Sequence, residues 1–150
     1  MIYVDADACP VKAEIESAAT RHDTAVAMVS NGGLRPSANP LVRMIYVSEG
    51  PDVADMWIAE RAGPGDIVVT GDIPLAAKVV AAGARVLKHD GASLTERNVG
   101  EALATRDLMS DLRGADPFRQ GGGRPFSKAD RSRFRDALER ALRQIRGGSG

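Results

Sequence analysis

The chain has 150 residues, 43% hydrophobic and 27% charged, which suits one soluble globular domain with one sizeable core. No apolar run reaches the length needed to cross a bilayer, and the single cysteine forbids an intrachain disulfide. Formal net charge is zero, but residues 1–113 carry a net −5 and residues 114–146 a net +5, so the basic segment either packs on the acidic body or contacts a polyanion.

In chain order, Ile2-Tyr3-Val4 reads as a strand that begins without a signal-peptide pattern, so a cytoplasmic protein is expected. Pro10 to Thr20 reads as a helix with proline in its first turn. A second strand over 25–30 leads into the turn-rich loop NGGLRPSANP, 31–40. A third strand covers 44–48, followed by a helix over 50–63, opened by Pro51 and closed by Gly63. DIVVT, 66–70, reads as a fourth strand whose apolar run Ile67-Val68-Val69 is continuous, as in a central parallel strand. A helix over 72–83 and a fifth strand over 84–88 follow. Residues 93–113 read as a longer helix, 114–125 as a Gly-rich loop and 127–146 as a final helix. Ser127 and Asp130 suit a capping box there, and Phe134, Leu138, Ala141, Leu142 and Ile145 give it one apolar stripe.

Strands alternating with helices imply parallel pairing and right-handed crossovers. The expected architecture is α/β: three layers, α/β/α, around a mainly parallel sheet of roughly five strands. One domain is expected over 1–146, including a basic helical arm over 124–146, with a flexible tail at 147–150.

In such sheets ligands bind outside the carboxyl ends of the strands. Asp5 and Asp7 follow strand one, Asp52 and Asp55 follow strand three, and Asp72 follows strand four. Asp52 and Asp55, three apart, share a face at a helix N-terminus. An oxygen-only set of this kind suits Mg²⁺ or Mn²⁺, which can promote attack of water on a phosphoryl group. Capping is the alternative for Asp7, Asp52 and Asp72; Asp5 ends an apolar strand before any cap position, and Asp55 is too deep in its helix to cap it.

Asn31, Ser37, Thr70 and Arg43 are candidates for holding substrate, against a turn-forming role for Asn31 and Ser37. Arg97, Arg106 and Arg113 could bind phosphate or form salt bridges, and Arg133, Arg140 and Arg143 could line a nucleic-acid track or a solvated face. Cys9 near a helix N-terminus could be reactive, but no base is evident among His22 and His89, so it reads as a packing residue.

VDADACPVK (4–12), GPDVADMWIAERAGPGDIVVTGDIPLAAK (50–78), NVGEALATRDLMSDLR (98–113) and RPFSKADRSRF (124–134) together resemble the bacterial YaiI/YqxD family, with a PIN-like fold. The resemblance spans nearly the whole chain. It implies a parallel sheet with an acidic, metal-dependent nuclease site at Asp5, Asp52 or Asp55, and Asp72. The expected function is therefore divalent-metal-dependent phosphodiester hydrolysis, of RNA first, with Asp5, Asp55 and Asp72 as the core ligands. Two alternatives stand beside it. Asp5-x-Asp7 is similar to the nucleophile motif of haloacid-dehalogenase-type phosphatases, and the basic arm could make a non-catalytic RNA-binding module.

Overall fold

The computed structural model describes residues 1–32, 35–50, 52–105 and 126–148. Six strands form one sheet: β1 (Ile2–Asp5), β2 (Val26–Ser30), β3 (Val42–Tyr46), β4 (Ile67–Val69), β5 (Arg85–Leu87) and β6 (Ser93–Leu94). Their order is β3-β2-β1-β4-β5-β6, and every neighbouring pair is parallel except β5 with β6. The helices are α1 (Lys12–His22), α2 (Val53–Ala59), α3 (Ile73–Ala81), α4 (99–105) and α5 (Lys128–Gly148).

Strand alternation sorts the apolar residues onto two faces. Ile2, Val4, Val26, Met28, Ile67 and Val69 pack with α1 and α5. Tyr3, Ala27, Val29, Val68 and Val86 pack with α2 and α3, and Val99 and Ala102 of α4 join them. The result is the three-layer α/β/α sandwich expected from the alternating pattern. β1 lies at the centre, so Ile2 and Val4 are fully buried.

The sixth strand departs from the sequence reading. Ser93 and Leu94 open no helix; they pair antiparallel with Leu87 and Val86. Burial of Leu94 against the α2/α3 face favours the strand. Helix begins only at residue 99, after Thr95 and Asn98 exchange hydrogen bonds. The expected helix over 106–113, with Arg106 and Arg113, and the loop over 114–125 lie outside the described residues, as does Pro51. The third strand starts two residues earlier than expected, because Leu41 and Asn39 accept from Val26 and Val42 and set its register.

α5 is a core element. Phe134, Leu138, Ala141 and Leu142 are buried against α1 and the sheet, and burying Phe134 or Leu138 contributes about 1.5–3 kcal/mol each. Its start is the expected capping box: Ser127 N–H donates to Asp130 Oδ2 (3.0 Å), and Asp130 N–H donates to Ser127 Oγ (3.1 Å). Arg131 reaches Glu14 (2.9 Å) and the Pro10 carbonyl (2.8 Å), while Arg21 and His22 of α1 pair with Glu139. The basic segment thus meets an acidic partner within the chain. The helix also runs to Gly148, past the expected start of the tail at 147.

Candidate active site at the sheet switch point

The strand order switches direction between β1 and β4, and in such sheets ligands bind outside the carboxyl ends of the strands at that point. Asp5 closes β1, and Thr70, Gly71 and Asp72 follow β4 directly. Alternation places Asp5 on the face of Tyr3, towards α2 and α3. The Thr70 hydroxyl donates to Asp5 Oδ2 (3.2 Å) and accepts the Asp72 N–H (3.0 Å). Buried Thr70 therefore ties the two strand ends together.

Asp72 is the N-cap of α3: its Oδ1 accepts from Leu75 N–H at 2.9 Å, with Pro74 in the first turn. The capping alternative for Asp72 holds, and its second oxygen remains for other contacts. Asp55 sits in the first turn of α2 and hydrogen-bonds to Asp72. Asp52 precedes α2 with φ +68° and makes no side-chain cap.

The electrostatics follow from this crowding. Burial raises the pKa of Asp5; the Thr70 hydrogen bond opposes the shift, and the charges of Asp72 and Asp7 add to it. Asp55 is pushed up to about 7, first by burial, then by its hydrogen bond to Asp72 and the charges of Asp72, Asp5 and Asp52. A proton shared within Asp55–Asp72 relieves the repulsion.

Asp7 is turned elsewhere. It lies in the 3-10 turn Ala6–Ala8 and accepts from Ser30 Oγ (2.6 Å) and Asn31 N–H (3.0 Å). It caps no helix; the N-cap of α1 is Val11. Among the described residues, no three His, Cys, Asp or Glu side chains form a ready metal-binding group. Asp55 and Asp72 face each other, and Asp7 faces β2.

The candidate substrate residues divide. Thr70 stands between Asp5 and Asp72, bonded to both. Asn31 lies at the same sheet edge, its amide donating to the Ser48 carbonyl (2.8 Å). Ser37 bonds to Glu16 of α1 (2.5 Å) and accepts from Asn39 N–H, so it pins the loop to α1. Arg43 is exposed two positions before Ile45, whose register matches Asp5 through Val29. Cys9 is buried, and burial raises its thiol pKa, which agrees with the packing reading. His89 was read only as a possible base for Cys9. It follows β5 at this edge and lies beside Gly71, where an added Cβ would stand 3.6 Å from its ring. Burial lowers its pKa, and its Nε2 is buried with no partner among the described residues. Applying the strand-end rule to β5 as to β1 and β4 would have singled it out.

The family model described as "Uncharacterized BCR, YaiI/YqxD family" matches residues 3–144. The chain belongs to the YaiI/YqxD family. A UPF0178 protein of Cereibacter sphaeroides is 73% identical over 143 residues, covering 95% of this chain and 88% of the relative. A UPF0178 protein of Roseobacter denitrificans is 68% identical over 143 residues, covering 95% of each chain. One of Parvibaculum lavamentivorans is 57% identical over 145 residues, covering 97% of this chain and 95% of the relative. No solved structure matches the chain. Within this YaiI/YqxD chain, no helix among the described residues is long and apolar enough to cross a membrane.

Proposed function

We propose that this YaiI/YqxD protein is a cytoplasmic, divalent-metal-dependent nuclease that hydrolyses phosphodiester bonds, RNA being the first substrate class. The observation that carries the reading is the hydrogen bond between Asp55 and Asp72 and the electrostatic pressure between each of them and Asp5, at the β1–β4 switch point. Three carboxyls so placed need either protons or a cation to relieve their repulsion. The donor set is oxygen-only, which suits Mg²⁺ or Mn²⁺. Asp5, Asp55 and Asp72 would hold the ion, with Asp52 at the adjoining helix start; Asp7, expected as a further ligand, is turned to Ser30 and Asn31. When bound, such an ion supplies Lewis acidity towards a phosphoryl oxygen and lowers the pKa of water.

The chain's own residues supply positioning. Thr70 orients Asp5 through its hydroxyl and fixes the backbone of Asp72. Asp72 is held by its cap, so its carboxylate stands in a fixed place, where Asp55 hydrogen-bonds to it. A phosphodiester is anionic and meets an acidic crevice unaided only against repulsion. That favours an intervening cation over direct attack by Asp5, whose electrostatic neighbours are Asp72 and Asp7.

The test is hydrolysis of single-stranded RNA in Mn²⁺ or Mg²⁺, beside a phosphate monoester, by the wild type and Asp5→Asn. Metal-dependent cleavage of RNA that disappears in Asp5→Asn is expected. Full activity in the variant contradicts the assignment, and hydrolysis of the monoester alone points instead to a phosphatase.

A further inference from the structure

We infer that the groove between the β5–β6 edge and α5 binds the phosphate of a ribose phosphate. Two hollows of about 280 and 310 Å³ share Gly91 and Arg140 and run together along this edge. Their floor is short. Ala137 and Ala141 lie one turn apart on α5, opposite Leu87 and Gly91. Gly91 has φ +89°, and a Cβ there would stand 2.6 Å from the Arg133 carbonyl oxygen. Larger side chains at the two alanines would fill the space that the turn and helix enclose.

Two arginines from different elements line the first hollow, Arg85 of β5 and Arg140 of α5. Arg85 is steadied by the Gln144 side-chain oxygen, which leaves its other N–H groups for a ligand. Arg140 makes no hydrogen bond or ion pair among the described residues. A phosphate between them would receive charge-assisted hydrogen bonds from both.

The second hollow has a different character. Asp90 and Asp136 line it, and the cation of Arg133 is paired with Asp130. Carboxylates repel a phosphate and accept hydrogen bonds from hydroxyls. A ligand with phosphate at one end and sugar hydroxyls at the other therefore has one orientation: phosphate at Arg85 and Arg140, ribose towards Asp90 and Asp136. A free nucleotide and the backbone of an RNA share this chemistry. The acidic crevice takes no part, so this inference does not rest on the nuclease reading.

The experiment is calorimetric titration of the full chain in chelator with inorganic phosphate, adenosine 5′-monophosphate and a short single-stranded RNA. The wild type binds the ribose phosphates, and Arg140→Gln and Arg85→Gln each weaken binding by about tenfold or more. Both residues are exposed, so thermal unfolding stays unchanged. Ala141→Leu fills the floor with the charges intact and also lowers affinity. Asp5→Asn binds as the wild type does, even if the nuclease assignment fails. Comparable affinity for nucleotide and RNA assigns the groove to free nucleotides; a marked preference for RNA assigns it to the polymer backbone. No binding of either ribose phosphate at millimolar concentration, binding of inorganic phosphate as tightly as the nucleotide, or affinity unchanged from the wild type in both arginine variants overturns the inference.

Discussion

Thr70 is the residue on which the crevice turns. Its hydroxyl donates to Asp5 and accepts from the backbone of Asp72, so one side chain orients a carboxylate and fixes a helix start. Thr70→Val keeps the shape and leaves both partners unsatisfied. Stability should fall by about 1–3 kcal/mol in urea unfolding, whereas Thr70→Ser should restore most of it. Asp55 contributes a pH dependence of its own. Its folded pKa, about 7, lies above its ordinary value of 3.8. Between these values the folded chain binds the extra proton, so this group's contribution to stability falls as pH rises from about 4 through 7. Asp55→Asn should therefore raise the unfolding temperature at pH 8 and change it little at pH 5. An equal shift at both pH values would contradict the assignment of the raised pKa. Asp5 was legible because a carboxylate directly ending a buried strand has no capping use. Asp7 was not, because only the folded register brings Ser30 and Asn31 to it. Ser37 reads in the sequence as a substrate-holding or turn-forming residue, but its partner Glu16 lies on a separate element and no local pattern reveals it.

At the scale of elements, α5 decides how the basic segment is understood. Its apolar stripe was readable from helical spacing, and its cap from Ser127 and Asp130. That it completes the core against α1 was not readable, since the same stripe could have served a partner. Leu138→Ala should cost about 2–5 kcal/mol in urea unfolding. Removing 128–148 should leave no folded body, so truncation is not a test of RNA binding by the arm. The β5–β6 turn is equally constrained. Gly91→Ala forces a side chain onto the α5 backbone at positive φ and should cost about 1–3 kcal/mol or more, read in the same way. β6 was missed because Ser93 and Leu94 are too few to show a period of two, and the helical pattern after them is strong.

For the whole molecule, strand order does most to position the candidate site. Order 3-2-1-4-5-6 puts Asp5 and Asp72 on either side of the switch point, and crossover α2 brings Asp55 over them. The basic segment meets the acidic body through Arg131–Glu14, while in the Arg21–Glu139–His22 cluster the charges run the other way and tie α1 to α5. The decisive measurement is calorimetric titration of Mn²⁺ and Mg²⁺ into the wild type, Asp5→Asn and Asp72→Asn. Asparagine at 72 can still cap α3, so that variant removes charge without removing the cap. A metal centre at the switch point predicts saturable binding in the wild type and its loss in both variants. No binding in the wild type, or equal binding in Asp5→Asn, would contradict it and leave the carboxyls as caps and a shared-proton pair.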